Sequence, residues 1–339
     1  MHKITIFIIA EAGRVKRGKE ALISPPIKSV PHYFEKTVPQ QMAVKNEQVK
    51  VGDLTVDFSV KAYHPDAVII EASFQVENIF SDDILILKDK VQAACFEFAK
   101  KNGAKEDGLS EEYTVYQIAG YEGHPEIFLE LNGKKIVNLL KSEKLELDEK
   151  EVEHSLSYQL KYAKDDLVIV SWDGAFLFDP AGEFGEAIEL LELANYQLLR
   201  YRVLDRDLDN RLQKISRLIE KNVKKWFIFK AGEASQAYRE IILARSQSVS
   251  EFNALDRAIK LIGEWYSARM YDLAIERFRL DDWRALVKDK LESLEDVYSI
   301  IFENFSLSRR RIFDIIQLVG WFILMIGWFI LLFLDLMAK

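Results

Sequence analysis

The chain has 339 residues, of which 29% are charged, and its formal net charge is −8. An acidic chain offers few clustered lysines and arginines for phosphate contacts, so these values argue against nucleic-acid binding. The single cysteine, Cys95, excludes an intramolecular disulfide and a cysteine-rich zinc site. The length allows two folded domains, each with a core of its own.

The first 180 residues are predicted to form a cytosolic α+β domain with a mostly antiparallel sheet. Helices are predicted at Ile84–Lys101 and Ile127–Leu140, where apolar residues recur at helical spacing. The N-terminal apolar run alternates as a buried strand does, and we favour this interpretation over the core of a signal peptide. Strands are predicted at Ile4–Ala10, Lys28–Val38, Leu54–Ala62, Ala67–Val76 and Tyr113–Ile118, with three shorter ones between Tyr158 and Pro180.

Residues 181–311 are predicted to form a helical bundle or coiled coil, because apolar residues recur at alternating steps of four and three. A middle helix is predicted at Gln247–Arg279 and a last one from about Asp282. The sequence leaves open whether the seam packs within one chain or between chains. The polar residue in the seam is expected to fix register or the number of partners. The seam contains Leu191, Leu198, Asp205, Leu208 and Leu212.

The segment from Ile315 to Leu334 contains twenty residues without a formal charge. A stretch of about 20 apolar residues matches the thickness of a hydrocarbon core, so a transmembrane anchor is predicted within residues 312–339. Arg309, Arg310 and Arg311 precede it, and positive charge is typical of the cytosolic side. We therefore expect a single-pass, tail-anchored protein with a cytosolic N-terminus, a lipid bilayer as partner, and the bacterial or archaeal plasma membrane as its location.

A seven-residue repeat lies in this segment, where GWFILMI from Gly320 is followed at once by GWFILLF. Small residues on one helix face let two backbones approach closely, and an amide finds a partner across such a contact for about 0.6 to 2 kcal/mol. We therefore predict helix association and a homo-oligomer. The predicted face contains Gln317, Gly320, Leu324, Gly327 and Leu331.

No motif for catalysis, for a cofactor or for a metal is recognised, and a non-enzymatic protein without cofactors is expected. The Glu151/His154 pair has a metal-ligand spacing, but it occurs once in a charged segment typical of a solvated helix face. The carboxylates of Asp205–Asn210 lack the glycine and glutamate that a calcium loop needs. Cys95 lies on the apolar face of a predicted helix, where an inert core thiol is expected.

Three strings resemble the family named "required for meiotic nuclear division". They are the strand-rich DDLVIVSWDGAFLFDP, the following ELLELANYQLLRYRVLDRDLDNRL, and KLESLEDVYSIIFENFSLSRRRIFDII before the apolar segment. The resemblance covers about residue 158 to the end of the chain. It implies an α/β domain, a helical region and a C-terminal membrane helix, with an oligomeric, non-enzymatic role and no catalytic residues to carry over.

These observations lead us to expect a self-associating, tail-anchored scaffold or tether that displays its α+β domain to a protein partner or a small ligand. An alternative is a subunit of an oligomeric ion channel or transporter with a cytosolic sensor domain, in which Asp314 and Gln317 would line a pore. A membrane-bound enzyme is a third possibility, and a deep polar pocket with convergent carboxylates would favour it.

Overall fold

A computed structural model describes residues 2–13, 22–23, 41–63, 67–223 and 265–337, together with single positions between 239 and 253. The predicted strand at Lys28–Val38 lies outside the described residues. Nine strands occur in the described part: β1 (His2–Glu11), β2 (Leu22–Ile23), β3 (Gln41–Val51), β4 (Leu54–Tyr63), β5 (Ala67–Val76), β6 (Ser110–Ile118), β7 (Gln159–Leu160), β8 (Leu167–Val170) and β9 (Gly174–Phe178). The helices with printed bounds are α1 (Ile84–Lys101), α2 (Glu126–Lys141), α3 (Glu149–Leu156), α4 (Gly185–Val223), α5 (Trp265–Arg277) and α6 (Leu280–Met337).

The chain divides into two compact units. Unit 1 combines residues 1–206 with residues 251–287, and it contains the sheet, helices α1–α3, the first part of α4, and α5. Unit 2 combines residues 207–250 with residues 288–339, which include the rest of α4 and most of α6. Within unit 2, the Lys290 ammonium lies 2.7 Å from the Asp209 carboxylate and links α6 to α4.

The sheet of unit 1 has the strand order β2-β3-β4-β5-β1-β6-β9-β8-β7. All neighbouring strands run antiparallel except β6 and β9, which are parallel. Strand β1 lies inside the sheet, and every residue from Ile4 to Glu11 is buried. Branched apolar residues on both faces suit a strand that is covered on both sides.

The two faces of the sheet contact different layers of helices. Ile4, Ile6 and Ile8 belong to a core that also includes Val91 and Cys95 of α1. The alternate residues of β1 point to the opposite face because successive side chains of a strand alternate in direction. On that face Phe7 stacks on Tyr113 of β6, with ring centroids 5.4 Å apart. Unit 1 therefore has a three-layer arrangement of helix, sheet and helix.

Helix α4 covers this second face, and every residue from Leu190 to Leu199 is buried. The Tyr196 ring stacks on Tyr63 of β4 at a centroid distance of 4.4 Å. On another side of the helix, the Tyr271 hydroxyl of α5 donates to the Gln197 amide oxygen. A helix buried all round must be enclosed by other elements, and here these are the sheet and α5.

The predicted transmembrane helix from Ile315 to Leu334 is contradicted by the structure. Across the residues that are described, no helix combines the length and the apolar character that crossing a membrane requires. The expectation of a single-pass, tail-anchored membrane protein with a cytosolic N-terminus is therefore wrong.

Gly174 begins β9 at a point where the backbones approach closely. A Cβ atom at this position would lie 2.6 Å from the Thr114 carbonyl oxygen of β6. Because that contact is with backbone, we expect Gly174→Ala to lower the free energy of unfolding by about 1–3 kcal/mol. A Cβ at Gly13 would meet no atom within 4 Å, so Gly13→Ala is the matched control, with an expected change within about 0.5 kcal/mol. Urea unfolding followed by circular dichroism measures both, and equal stability of the two variants would contradict the prediction.

Candidate functional site

Residues 315–330 of α6 expose a series of large apolar side chains. Leu324 is 73% exposed and Trp321 is 72% exposed, and almost every other residue between 315 and 330 is exposed as well. Monomeric proteins rarely leave so large an apolar patch uncovered. We call residues 315–330 the α6 surface. Its exposed large side chains are Ile315, Ile316, Leu318, Val319, Trp321, Phe322, Ile323, Leu324, Met325, Ile326, Trp328, Phe329 and Ile330.

The glycine face predicted from the repeat lies on this α6 surface. Gln317, Leu324 and Gly327 are exposed and Gly320 is half-buried. A Cβ atom at Gly320 or at Gly327 would meet nothing within 4 Å, so no described residue packs against either glycine. Leu331 is in α6, but its side chain lies outside the described part. The side chains of Arg309, Arg310 and Arg311 also lie outside the described part. Their predicted role in membrane orientation depended on the predicted span, which the structure contradicts.

The seam residues of α4 have different environments along the helix. Leu191 and Leu198 are buried within unit 1, and Leu208 is buried within unit 2. Asp205 and Leu212 are half-buried. The burial of Leu191 and Leu198 occurs within one chain, where they belong to the enclosed part of α4. The role of the seam in joining copies of the chain remains a prediction.

A buried ionic cluster connects α4 to the sheet. The Lys61 ammonium of β4 lies 3.0 Å from one carboxylate oxygen of Glu192 and 2.8 Å from the Glu71 carboxylate of β5. The side chain of Glu192 is completely buried, and Lys61 is only 13% exposed. Glu189, one turn earlier on α4, also acts electrostatically on Glu192. We call Lys61, Glu71, Glu189 and Glu192 the α4 cluster.

The electrostatics of the α4 cluster follow from three carboxylates that share one ammonium group. Burial raises the pKa of Glu192 to about 8, and the attraction of Lys61 opposes this effect only in part. Burial also raises the pKa of Glu189. Burial by itself would lower the pKa of Lys61, but the nearby Glu192 and Glu71 carboxylates raise it instead. The pKa shifts therefore keep Lys61 in its charged form and make Glu192 retain its proton to higher pH than an exposed glutamate does.

Two further ion pairs join α4 to the sheet. Arg202 pairs with Glu111 of β6, where burial raises the pKa of the carboxyl group to about 7 despite the arginine. Arg206 lies 2.9 Å from the Glu11 carboxylate of β1, which also binds Lys105. Burial opposes ionisation of Glu11, but hydrogen bonds from Lys105 and Arg206 leave its pKa below the usual value. Charged contacts thus connect α4 to strands on both sides of the sheet centre.

Uncharged polar groups on the same face of the sheet are also paired. The Thr5 and Ser73 hydroxyl groups lie 2.9 Å apart, and both side chains are buried. The Gln117 amide donates to the Thr5 hydroxyl at 2.6 Å. These bonds satisfy polar atoms that have no access to water and hold β1, β5 and β6 in register.

Within the described part of unit 1, two surface cavities bear on a possible ligand site. One, of about 360 Å³, lies between the start of α1 and the end of α2, and Phe80, Leu85, Lys135, Asn138 and Lys144 are among its lining residues. The other, of about 330 Å³, lies between β8, β9, α4 and α5. Its carboxylates are mostly occupied by the fold: Asp166 accepts from two backbone N–H groups, and Asp179 accepts from two more. Its five carboxylate residues are Asp165, Asp166, Asp179, Glu183 and Glu186.

The candidate chemical motifs have structural roles. No group of three or more potential ligands in the described part of the chain is placed to hold a metal ion. Glu151 of α3 pairs with Lys141 of α2 and accepts from Ser155. Cys95 is fully buried, and burial raises the pKa of its thiol to about 12, so the reactive thiolate is not formed at neutral pH.

Comparison with known proteins places unit 1 in a family. Residues 7–184, more than half of the chain, match the family described as "Uncharacterized protein MJ0711, N-terminal domain". The chain belongs to this family. Over 251 residues it is also 26% identical to the uncharacterised protein MJ0711 of Methanocaldococcus jannaschii, and the match covers 74% of this chain and 75% of that protein. No solved structure was found to match the chain.

The MJ0711 family match corrects the resemblance drawn from the sequence. The three strings that resembled the family named "required for meiotic nuclear division" do not identify it, because the matched family is a different one. The matched residues include strands β3 to β9 and the strand and loop residues that line both cavities. The α6 surface lies C-terminal to the matched residues. Lys61 and Glu71 lie inside the matched residues, and Glu189 and Glu192 follow directly after them.

Sequence analysis did not identify the α4 cluster. Lys61 and Glu192 are 131 positions apart, and no local pattern links one to the other. The one local signal is that Glu189 and Glu192 occur in an otherwise apolar part of α4. A fully buried helix with two glutamates one turn apart requires a buried cation nearby, but the sequence does not say which lysine or arginine supplies it.

Proposed function

We propose that this protein is a self-associating scaffold whose copies join through the α6 surface and present the α+β unit to a partner. The observation that carries this proposal is the exposure of the α6 surface, where large apolar side chains over sixteen residues have no cover within the described part of the chain. Burying such a surface stabilises an assembly by about 25 cal/mol per Å² of apolar area.

A second copy of the chain is the occupant that fits this surface. The repeat places Gly320 and Gly327 seven residues apart, which is the period that keeps one helix face against a partner helix. Space is open beside both glycines, so another backbone can approach there. The surface is also nearly uniform along its length, as expected where identical helices pack side by side. A self-complementary face of this kind favours closed, symmetric assemblies.

Bulky residues on the glycine face test the proposal. We expect the double variant Gly320→Leu and Gly327→Leu to raise the dissociation constant of the assembly at least about tenfold, because the leucines hold the backbones apart. Sedimentation velocity of the full chain over a concentration series measures this constant. The matched control is Phe322→Leu with Phe329→Leu, which has the same spacing on the opposite side of the helix and should change the constant much less.

Three outcomes would overturn the proposal. The first is a wild-type chain that sediments as a monomer at all concentrations. The second is a control pair that dissociates the assembly while the glycine pair does not. The third is co-sedimentation of the chain with phosphatidylcholine vesicles in place of self-association, which would give the α6 surface a different occupant.

A further inference from the structure

Glu192 lies at the contact between α4 and the sheet, in the interior of unit 1. Its side chain has no solvent exposure, and both of its carboxylate oxygens lie within 3.1 Å of the Lys61 ammonium. The charged groups that act on it are Lys61 from β4, Glu71 from β5 and Glu189 from its own helix. These groups come from the three elements that meet at this point.

The balance of charge in the α4 cluster depends on one proton. With Glu71, Glu189 and Glu192 all ionised, three negative charges face a single positive one. Ionising Glu192 therefore adds an uncompensated buried charge, which is costly in an interior of low dielectric constant. Water can reach the carboxylate only if α4 moves away from the sheet. Protonation of Glu192 removes this cost and leaves a neutral carboxyl group beside Lys61.

We propose that Glu192 is a proton-operated switch: α4 packs tightly on the sheet while Glu192 is protonated and loosens when Glu192 ionises. The switch is independent of the α6 surface, because it operates inside unit 1. It makes the packing of α4 on the sheet sensitive to pH between the ordinary pKa of glutamate and about 8.

The direction of the pH effect follows from the pKa of Glu192, which burial raises to about 8. A carboxyl group with a raised pKa in the folded state favours folding when protonated. Its contribution is present in full below the ordinary pKa of glutamate and is lost as the pH rises through about 8. Glu111, with a pKa raised to about 7, acts in the same direction at the Arg202 contact. Glu11 acts in the opposite direction, but only at acidic pH.

Hydrogen exchange at fixed pH tests the switch without interference from intrinsic exchange rates. In the loosened state Glu192 has the ordinary pKa of a glutamate, so the exchange rate of α4 amides in the wild-type chain, relative to Glu192→Gln, should rise by up to about tenfold per pH unit as the pH approaches about 8 and level off above it. The ratio of the two rates should therefore be larger at pH 9 than at pH 6. Infrared spectroscopy gives a direct readout: the difference spectrum of the two chains at pH 6 should contain the band of a buried protonated carboxyl group, because Glu111 contributes to both spectra and Glu192 only to that of the wild type.

A second variant keeps the proposal testable if Glu192→Gln does not fold. Glu189→Gln removes one negative charge near Glu192, so the pH at which α4 loosens should shift to a lower value. The matched control is Glu153→Gln, at an exposed glutamate on α3, which should leave both the exchange rates and the infrared band unchanged. A ratio of α4 exchange rates between wild type and Glu192→Gln that is the same at pH 6 and pH 9, or an infrared difference spectrum of the two chains without a protonated-carboxyl band at pH 6, would overturn the proposal.

Discussion

Replacing Lys61 with Met should lower the free energy of unfolding by about 3–5 kcal/mol, because it leaves buried carboxylates without their cation. Lys61 contacts both Glu71 and Glu192, and the Glu192 side chain is fully buried. Methionine has nearly the length of the lysine side chain, so the packing of the stem is preserved and the missing charge accounts for the loss. Urea unfolding at several pH values measures the effect.

The loss in Lys61→Met should depend on pH. Without the attraction of Lys61 the pKa of Glu192 rises further above about 8, so the folded variant must keep at pH 9 a proton that the wild-type chain releases. We therefore expect a larger loss at pH 9 than at pH 6. Lys61 does not titrate in this range, since its pKa lies above the ordinary lysine value.

An exposed lysine supplies the control for Lys61→Met. Lys100 pairs with Glu97 on α1 at 3.1 Å, and both side chains are more than half exposed. Solvent screens such a pair, so Lys100→Met should cost less than about 1 kcal/mol at either pH. Equal losses for Lys61→Met and Lys100→Met would contradict the view that the α4 cluster stabilises unit 1.

Replacing Phe176 with Ala should lower the free energy of unfolding by about 3–5 kcal/mol, because it opens a cavity in the core that the sheet shares with α1 and α2. Phe176 of β9 is fully buried and stacks on Tyr116 of β6 at a centroid distance of 4.7 Å. It also contacts Phe178 at 6.0 Å and Phe80 at 6.3 Å. Three ring contacts and the buried apolar area are lost together.

A conservative substitution of Phe176 and a substitution of an exposed residue are the controls for Phe176→Ala. Phe176→Leu keeps most of the volume and should cost about 1–2 kcal/mol, mainly through the lost ring stacking. Leu131 on α2 is 77% exposed, so Leu131→Ala should change stability by no more than about 0.5 kcal/mol. Urea unfolding followed by circular dichroism measures the free energy of unfolding of all three variants. A loss below about 1.5 kcal/mol for Phe176→Ala would mean that the core closes around the gap.

Local patterns were sufficient for several elements of unit 1. The bounds predicted for α1 and β5 agree with the structure at Ile84–Lys101 and Ala67–Val76, because both segments have strong periodicity and clear turn signals at their ends. Strand β3 was not predicted, because QMAVKNEQVKV is mostly polar. Its residues pair with β4 and leave many side chains exposed, so it lacks the apolar alternation that marks a strand in sequence.

In the structure, the first part of α4 has a different environment from the one that its seven-residue spacing suggests. Spacing shows which residues share a face of the helix, but it does not show what packs on the other faces. Leu190 to Leu199 is buried on every side, because the sheet covers one side and α5 another. The polar residues within it are acceptable only because Lys61 and Tyr271 come from distant parts of the chain.

The sequence by itself determined the α+β character of the first unit, the helical character of the remainder and the position of the repeated apolar segment in α6. These properties depend on local periodicity and composition, which are visible in each segment of the sequence on its own. Only the tertiary structure decided that Glu192 meets Lys61 and Glu71, and that nothing described covers the glycine face of α6. Both facts depend on contacts, or on their absence, between residues far apart in the chain, and local spacing carries no information about these.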